Sequence, residues 1–298
     1  MKPLIVVVLV AVAAYLAPWG ASENETQRVQ SDEAAVAMAT FNIRFGSAED
    51  GAHHWRYRRE LCIATLRALE ADVIGLQEAL AFQIEEILEA LPEYVSVGVG
   101  RDDGKLAGEH ANILVRASRF TIDRGETQWL SDMPREPASR SWGNENPRVV
   151  TLVRLIDRRT GEALWVYNTH FDHRSQPSRE RSAAMIAALV EARPAYMASE
   201  PIVAMGDFNA GEDNPAVRIL LDTGGLGLID SFRAAHADAV EVGTFTAFRD
   251  ERSGEKIDHI LVSQGVRVLD AGIDRTRGPG GLHPSDHDAV WAKVVIEK

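Results

Sequence analysis

Hydrophobic residues in the first third of the chain are spaced in two ways, and each spacing predicts a different element. Residues 35–44 (AVAMATFNIR) alternate and then run apolar, as strands do, and residues 72–77 (DVIGLQ) form the short apolar run of a buried strand. Residues 57–70 place their leucines at nearly helical spacing, and a second helix is predicted over 82–91. The pattern therefore predicts the order strand, helix, strand, helix.

The rest of the chain consists mainly of short apolar runs that are separated by glycine, proline and charged residues. Further strands are predicted at 95–99, 112–115, 149–156, 164–168, 202–205, 257–262, 266–269 and 289–296. An alanine-rich helix is predicted over 178–193, and long polar loops cover 100–110 and 129–147. Strands in both halves, with helices between them, predict two sheets packed face to face with helices outside.

The composition is that of a folded globular protein, and it bears on the ligand. The chain has 298 residues, of which 45% are hydrophobic and 26% charged, and one enzyme domain over 35–298 fits this length. Acidic residues outnumber basic ones by 44 to 32, which gives a formal charge of −12. Such a surface repels polyanions unless a bound metal or a basic patch offsets it. Nucleic acid is therefore possible but not the favoured partner. Separately, we expect the protein to be a monomer.

The N-terminal segment has the layout of a secretory signal peptide. Lys2 precedes an apolar run over 4–16, and small residues at 20–22 come before a polar stretch. We predict a signal peptide over 1–22, a polar connector over 23–34, and export to the periplasm or the medium, with no stable membrane span after processing. An uncleaved membrane anchor is the alternative, because the apolar run is short for a bilayer span yet can be stretched to one.

Side chains that can bind metal or move protons recur where an apolar run stops. They are Asn42, Glu78, His170, Asp207, Asn209, Asp258, Asp286 and His287. Oxygen ligands of this kind suit hard ions such as Mg²⁺, Ca²⁺ or Mn²⁺, and Cys62, the only cysteine, cannot form a thiolate zinc site or an intrachain disulfide by itself. Each residue alone has a simpler interpretation as a turn former or helix cap. Their repetition predicts a single site at one edge of the sheets.

The turn Gly206-Asp207-Phe208-Asn209 is the most specific of these features. Its glycine permits a tight turn out of the buried strand. Asp207 and Asn209 can then project together toward a phosphate, on either side of an inward-facing Phe208. The motif favours a functional site over a simple turn.

Six short stretches resemble, in order, the signature blocks of the endonuclease/exonuclease/phosphatase superfamily. They are TFNIR with Asn42, GLQE with Glu78, NTHFDH with His170, GDFNA with Asp207 and Asn209, KIDHI with Asp258, and SDH with Asp286 and His287. The resemblance spans about residues 35–297 and is strongest to exported bacterial members. It implies an α+β fold, namely a four-layer αββα sandwich of two packed mixed sheets flanked by helices. It also implies hydrolysis of a phosphoester by metal-assisted attack of water.

The same resemblance implies a role for each matched residue. Three residues are assigned to one or two ions of Mg²⁺ or Mn²⁺: the principal ligand Glu78, with Asn42 and Asp286 in or next to the coordination shell. Asp207 would orient or deprotonate the water, while Asn209 and His170 hold the phosphate. His287 would donate to or stabilise a phosphate oxygen, and Asp258 would hold its imidazole. A neighbouring carboxylate also favours the charged form of the imidazole.

Three residues outside these assignments are weaker candidates. Arg148 follows a long loop, and its planar guanidinium suits bidentate contact with phosphate, although a surface salt bridge explains it equally well. Asp172 and His173 follow His170 closely and could line the mouth of the site, bind a second ion or be solvated. Residues 100–109 (GRDDGKLAGE) are rich in glycine but lack the spacing of a phosphate-binding loop.

Three functions are compatible with the sequence. The favoured one is hydrolysis of a small or exposed phosphomonoester or phosphodiester, with the natural substrate undetermined. A secreted endonuclease or exonuclease is the alternative, but the loop over 129–147 mixes acidic and basic residues and presents no uniform basic surface. A non-catalytic binding module with the same fold is the second alternative, and the presence of every motif residue argues against it.

Overall fold

The computed structural model describes residues 34–297, except 223 and 251. The predicted signal peptide over 1–22 lies outside these residues, as does the predicted connector up to residue 33. No helix among the residues described is both long enough and apolar enough to cross a bilayer.

The described residues form twelve strands and five α-helices. The strands are β1 (Val36–Asn42), β2 (Val73–Gln77), β3 (Tyr94–Val97), β4 (Ile113–Arg116), β5 (Phe120–Trp129), β6 (Val149–Asp157), β7 (Ala163–His170), β8 (Ile202–Asp207), β9 (Ile229–Asp230), β10 (Asp258–Val262), β11 (Val266–Ile273) and β12 (Val290–Ile296). The helices are α1 (Trp55–Ala68), α2 (Ala81–Ala90), α3 (Gln176–Glu191), α4 (Pro215–Leu221) and α5 (Ser231–Ala235). Every predicted element is present, and all but β11 end within about two residues of the prediction.

The strands form two six-stranded mixed sheets, and each sheet contains one parallel pair of strands. Sheet 1 has the order β11-β12-β1-β2-β4-β3, and sheet 2 has the order β5-β6-β7-β8-β10-β9. Strand β1 runs parallel to β2 in sheet 1, and β7 runs parallel to β8 in sheet 2. Strands β12 and β10 run antiparallel to β1 and β8. The carboxyl ends of the parallel strands therefore lie beside the amino ends of β10 and β12.

The predicted edge is confirmed, with one correction to the way the chain reaches it. Asn42 and Asp207 end β1 and β8, as expected, but Asp258 begins β10 and does not end an apolar run. Because β10 is antiparallel to β8, Asp258 pairs directly with Asp207. Asp286 and His287 likewise precede β12, which is antiparallel to β1.

Three apolar clusters fill the spaces between four layers. The central cluster contains Met38 and Val73 from sheet 1 and Val166 and Val203 from sheet 2, so the sheets pack face to face. Two outer clusters join sheet 1 to α1 and α2, and sheet 2 to α3 and α4. Because strand side chains alternate between faces, Met38 lies in the central cluster and its neighbour Ala39 in an outer one. The fold is the predicted αββα sandwich, and each fully buried aliphatic side chain stabilises it by about 1.5–3 kcal/mol.

Strand β5 is the largest element that the hydrophobic pattern did not predict. It forms one edge of sheet 2, and its residues 123–126 are all exposed. A strand with so little buried surface shows no apolar alternation, and a long antiparallel ladder to β6 holds it instead. The short elements β9, α4 and α5 were also missed, because a few residues are too short a window for a hydrophobic period.

Candidate active site

Side chains from the ends of β1, β2 and β8 meet at the centre of this edge. The amide nitrogen of Asn42 donates to Glu78 Oε1 at 3.1 Å and to Asp207 Oδ2 at 3.0 Å. Asn42 Oδ1 accepts from the backbone nitrogen of Arg44 at 3.0 Å, and its backbone oxygen accepts from Ser285 Oγ at 2.7 Å. Asn42 therefore links Glu78, the predicted metal ligand, to Asp207, the residue predicted to orient or deprotonate the water. Its own side-chain oxygen already accepts a hydrogen bond from Arg44.

A buried amide network behind these residues joins the two sheets. Gln77 Nε2 donates to Asn168 Oδ1 at 2.6 Å and to Thr40 Oγ1 at 3.0 Å. The amide nitrogen of Asn168 donates to the backbone oxygens of Leu76 and Asn112, both at 2.9 Å. Asn168 belongs to sheet 2 and its partners to sheet 1 or its loops, and a buried amide requires such partners. The network thus fixes the two halves of the site relative to each other.

The turn after β8 holds Asp207 and Asn209 in a fixed relation. Asp207 Oδ1 accepts from the backbone nitrogen of Asn209 at 2.8 Å, and the amide nitrogen of Asn209 donates to Phe171 O at 3.0 Å. Gly206 has a φ of +144°, and a Cβ there would lie 2.0 Å from Thr169 O in the neighbouring strand β7. Only glycine fits this position without moving the backbone of β7.

Beneath the turn, Phe208 is buried, as predicted, between two other rings. Its ring centroid lies 4.9 Å from that of Phe171 and 5.1 Å from that of His259. His259 Nε2 lies 2.9 Å from Ala210 O, and His259 Nδ1 lies 2.7 Å from the fully buried Lys256 Nζ. These contacts anchor the loop that carries Asp207 and Asn209, and neither buried polar residue was recognised from the sequence.

Gly206→Ala should destabilise the protein, because two unfavourable effects act together. The positive φ strains an L side chain, and the new Cβ would have to displace a backbone carbonyl group. We expect the free energy of unfolding to fall by about 3 kcal/mol or more in urea denaturation. In the control, Gly161→Ala, the φ is +79° but nothing lies within 4 Å of the Cβ, so a loss of about 1 kcal/mol is expected. Equal losses would show that the contact with Thr169 is unimportant.

Asp207 also lies between two imidazoles. His170 Nε2 is 3.5 Å from Asp207 Oδ2, and His287 Nε2 is 3.7 Å from the same oxygen. His287 Nδ1 lies 2.9 Å from Asp258 Oδ2, which is a hydrogen-bonding distance. The structure therefore brings together four of the residues that the sequence assigned to proton transfer and phosphate binding.

Burial and neighbouring charges shift the pKa values of this group in different directions. Burial, followed by the charge of Asp258, raises the pKa of Asp207 to about 7. Burial alone would lower the pKa of His287, but the carboxylates of Asp258 and Asp207 outweigh it and raise that pKa well above its ordinary value. Burial, followed by the charge of Arg148, lowers the pKa of His170 well below its ordinary value. Near neutral pH, His287 is charged, His170 is neutral and Asp207 titrates.

Glu78 and Asp286 lie around one positive charge. Arg44 Nη1 is 3.9 Å from Glu78 Oε2, and Arg44 Nε is 3.8 Å from Asp286 Oδ2. Asp50 holds the same guanidinium through two hydrogen bonds of 3.0 Å. Asp286 is buried, and burial raises the pKa of its carboxyl group. The carboxylate oxygens of Glu78 and Asp286 are ligands of the kind that hard metal ions prefer.

A second group of described residues also meets the distance requirement for a metal ion. Asp207, Asp258 and His287 each offer a ligand atom, and these atoms lie within 4.8 Å of one another. Two of the three are already hydrogen bonded to each other, and an imidazole suits softer ions than a carboxylate does. For a hard ion, the chemistry of the donors therefore favours Glu78 and Asp286.

Arg148 is buried in the wall of the site, so its interpretation as a surface salt bridge is wrong. Its side chain lies 3.0 Å (Nη2) from His173 Nδ1 and 3.5 Å (Nε) from Asp172 Oδ2. Nε and Nη1 have no hydrogen-bond partner among the described residues. Asp172 is buried too, and it accepts from the backbone nitrogens of Arg174 and Ser175. Asp172 therefore shapes the turn after β7 and is not solvated.

The site opens into one cavity of about 630 Å³. The predicted residues on its wall are Glu78, Arg148, His170, His173, Asp207, Asn209, Asp286 and His287. Asn42 and Asp258 lie behind this wall, in contact with Asp207 and His287.

The cavity wall also contains residues that the sequence analysis missed. They are Arg44, Phe45, Asp50, Arg101, Glu109, Asn146, Phe245, Ala247, Phe248 and Ile257. Arg44 lies inside the matched stretch TFNIR, so its place beside Asn42 was a usable signal. Arg101 and Glu109 lie in the glycine-rich stretch 100–109. The glycines indicated a structured loop, but they did not indicate what the loop binds.

Known proteins share this fold, and a known family matches most of the chain in sequence. Residues 39–287 match the Endonuclease/Exonuclease/phosphatase family. The structure is similar to that of an endonuclease/exonuclease/phosphatase from Bacteroides vulgatus, with a TM-score of 0.80 and 32% identity, covering 88% of this chain and 99% of that chain. It is also similar to a mannosyl-6-phosphatase from Bacteroides thetaiotaomicron, with a TM-score of 0.80 and 30% identity, covering 87% of this chain and 99% of that chain.

A viral protein is a more distant relative. A protein of Acanthamoeba polyphaga mimivirus is 27% identical over 196 residues, which cover 61% of this chain. The match spans 66% of the viral protein, slightly under two thirds of its length.

The fold and the family match define a class of phosphoester hydrolases. Members of this class generally use divalent metal ions. The chain belongs to the Endonuclease/Exonuclease/phosphatase family, and the predicted family is confirmed.

Proposed function

We propose that this chain hydrolyses a small or exposed phosphoester with the help of a divalent metal ion. The observation that carries the proposal is the position of Asp207, which has imidazole nitrogens of His170 and His287 at 3.5 Å and 3.7 Å on the wall of a cavity. One carboxyl group and two imidazoles in different charge states can accept a proton, donate one and hold a phosphoryl oxygen. The family match supports this class of reaction.

The oxygen donors around Arg44 fit a hard divalent ion. We propose Glu78 and Asp286 as ligands of Mg²⁺ or Mn²⁺, with Asn42 holding Glu78 in place. When bound, the ion would draw charge from the phosphoryl oxygens and favour attack at phosphorus.

Each of the other site residues either transfers a proton or binds the phosphate group. Asp207, with a pKa of about 7, orients the attacking water and accepts its proton. His287, which Asp258 keeps protonated, donates to a phosphoryl oxygen. His170 and Asn209 hold the phosphate as neutral groups. The charge states of Asp207, His287 and His170 support these roles.

Arg148 completes the phosphate site. Arg148 lines the cavity, and its Nε and Nη1 are buried without a hydrogen-bond acceptor among the described residues, which is unfavourable. A phosphoryl oxygen would supply that acceptor. We therefore propose that Arg148, together with His170 and Asn209, binds the phosphate group.

The size and charge of the cavity favour a small substrate. A volume of about 630 Å³ suits a small molecule, and the wall mixes the carboxylates Asp50 and Glu109 with arginines. A surface that grips long nucleic acid would be more uniformly basic. The similarity to a mannosyl-6-phosphatase supports a phosphomonoester as the first substrate to test, with a secreted nuclease as the alternative. The meeting of all motif residues at one cavity argues against a non-catalytic binding module.

Asp258→Asn should slow hydrolysis without unfolding the protein. Asp258 raises the pKa of His287, so the variant imidazole should lose its proton at lower pH. We expect kcat to fall by about 10²-fold and the basic limb of the pH–rate profile to move to lower pH. The exposed Asp213→Asn is the control and should leave the profile in place. An unchanged basic limb in Asp258→Asn would remove Asp258 from this role.

The proposal is tested by parallel hydrolysis assays with the chain from residue 23 onward. The substrates are p-nitrophenyl phosphate, bis-p-nitrophenyl phosphate, mannose 6-phosphate and plasmid DNA, each with Mg²⁺, with Mn²⁺ and with EDTA. Metal-dependent product release is expected, and the preferred substrate separates monoesterase, diesterase and nuclease. No turnover of any substrate would overturn the proposal and favour the binding module.

We also propose that the chain is exported through residues 1–22 and works as a monomer. The apolar run over 4–16 after Lys2 supports export. Cell fractionation with N-terminal mass spectrometry tests export and processing, and size-exclusion chromatography with light scattering tests the monomer. An intact N-terminus in the membrane fraction would favour the anchor.

A further inference from the structure

The glycine-rich stretch that has no role so far forms a rigid loop over 100–110, between β3 and β4. Three backbone hydrogen bonds close it: Gly100 N to Lys105 O at 2.9 Å, Arg101 N to Glu109 O at 3.1 Å, and Asp102 N to Ala107 O at 3.1 Å. A Cβ at Gly100 would lie 2.2 Å from Ala107 O, and Gly108 has a φ of +81°, so both positions require glycine. A loop built in this way holds the side chains that it presents in fixed positions.

The loop presents one ion pair to the cavity. Arg101 Nη2 lies 2.7 Å from Glu109 Oε1, and both residues line the cavity wall. Trp129 Nε1 donates to Arg101 O at 2.7 Å and anchors the loop from the end of β5. Arg101 Nε is buried and has no hydrogen-bond partner among the residues described. Because a guanidinium carries five N–H groups and a carboxylate two oxygens, their one mutual contact leaves the pair with both donor and acceptor capacity.

Glu109 lies next to the reaction centre without joining its hydrogen bonds. Glu109 Oε2 is 3.9 Å from His170 Nδ1, which is too long for a hydrogen bond. On the other side of the same ring, His170 Nε2 is 3.5 Å from Asp207 Oδ2. One imidazole therefore separates the pair from the group that activates water. The part of a substrate attached to the phosphate would fall within reach of the pair.

A carboxylate in this position suits hydroxyl groups better than phosphate. The negative charge of Glu109 repels phosphoryl oxygens, but a carboxylate accepts hydrogen bonds from O–H groups. The guanidinium of Arg101 donates to hydroxyl oxygens, so the pair offers a donor and an acceptor to adjacent hydroxyls of one molecule. Phe245, half exposed in the same cavity, adds an apolar surface for the C–H face of a ring.

We propose that Arg101 and Glu109 form a specificity subsite that binds the hydroxyl groups of the alcohol released on hydrolysis. The substrate class is then the phosphate ester of a polyhydroxylated alcohol, such as a hexose 6-phosphate or glycerol 3-phosphate. This inference rests on the proposed phosphoesterase function. In the reaction, the oxygen of water bonds to phosphorus and the ester P–O bond breaks. The proton lost by water balances the proton that the alcohol oxygen gains.

The test compares substrates with and without hydroxyl groups. We would measure kcat/KM of the full chain with Mg²⁺ on glucose 6-phosphate, glycerol 3-phosphate and p-nitrophenyl phosphate. Glu109→Gln should lower the value for glucose 6-phosphate by about 100-fold, and by at least about ten-fold more than for p-nitrophenyl phosphate. The relative losses on the hexose and glycerol esters identify the preferred alcohol. The exposed Glu136→Gln in a neighbouring loop is the matched control, with less than about a two-fold change expected on any substrate.

Equal losses on all three substrates, or no loss on either hydroxylated one, would overturn the inference and leave the proposed function standing. If Glu109→Gln does not melt cooperatively, kcat/KM is measured on the same three substrates with Arg101→Lys instead. This variant keeps the positive charge but loses the planar guanidinium.

If the wild-type chain hydrolyses no substrate, the proposed function fails. The proposed subsite is then tested separately, by measuring the affinity for glucose 6-phosphate. Glucose 6-phosphate would be titrated calorimetrically, with Mg²⁺, into Asp207→Ala and into the same variant carrying Glu109→Gln. At least about ten-fold weaker binding by the double variant supports the subsite. Equal affinity, or no binding by Asp207→Ala, overturns it.

Discussion

Asp207→Asn is expected to lower kcat by about 10³-fold while leaving the fold intact. Asparagine keeps the shape of the side chain and can still accept from the backbone nitrogen of Asn209, but it cannot take a proton from water near neutral pH. The measurement is kcat at saturating Mg²⁺ or Mn²⁺ on the best substrate, with circular dichroism of both proteins. The exposed Asp238→Asn is the control, and its kcat should change less than about two-fold. A fall of less than about ten-fold in Asp207→Asn would mean that another group activates the water.

The same variant should gain stability relative to the parent protein as pH rises, when metal is removed with EDTA. Burial, followed by the charge of Asp258, raises the pKa of Asp207 to about 7, whereas an unfolded aspartate ionises near about pH 4. The unfolded chain therefore loses its proton first, and the contribution of Asp207 to stability falls as pH rises through this window. Asparagine has no proton to lose. Urea denaturation at about pH 4 and pH 8 measures the difference, and parallel pH dependence in both proteins would contradict the raised pKa.

Glu78→Gln is expected to weaken Mn²⁺ binding by at least about 100-fold and to abolish metal-dependent hydrolysis. Glutamine has one neutral oxygen where glutamate has a charged pair, and hard divalent ions bind carboxylates far more strongly. Asp258→Asn should change the affinity by less than about three-fold, because Asp258 is proposed to hold His287 and not the ion. Isothermal titration calorimetry measures both, with the exposed Glu85→Gln on α2 as the control.

This comparison decides between the two candidate positions of the ion. If the ion binds Asp207, Asp258 and His287, then Asp258→Asn weakens binding and Glu78→Gln does not. Tight Mn²⁺ binding in both variants would exclude both positions. Because the readout is affinity, the result is informative even before the best substrate is known.

The ends of the buried strands were predictable because an apolar run makes its polar end conspicuous. Asn42 and Asp207 follow such runs, and both ends lie at the edge where the site forms. Strand pairing was harder to predict, because the hydrophobic period of a strand does not show which other strand it pairs with. The position of Asp258 at the start of β10 followed only from the antiparallel pairing of β10 with β8.

Residues on loops and in buried ionic clusters were not predictable in the same way. Arg101 and Glu109 reach the cavity because three backbone hydrogen bonds fold their loop, and these bonds leave no periodic signal. Lys256 resembles an ordinary charged residue before a strand. It is nevertheless fully buried, and Asp230, 26 residues earlier, accepts from it at 2.6 Å. Such contacts depend on residues that the fold alone brings together.

The pairing of β1 with β12 makes completion of the site a late event in folding. The hydrogen bond from Ser285 to the backbone of Asn42 joins residues 243 positions apart in the sequence. Closing so long a loop is entropically unfavourable until many other contacts exist, and such non-local pairing is slow. A chain still on the ribosome that has not yet reached residue 286 lacks both Asp286 and His287. The proposed activity therefore cannot appear before this part of the chain has been made, and we expect shorter nascent chains to be catalytically silent.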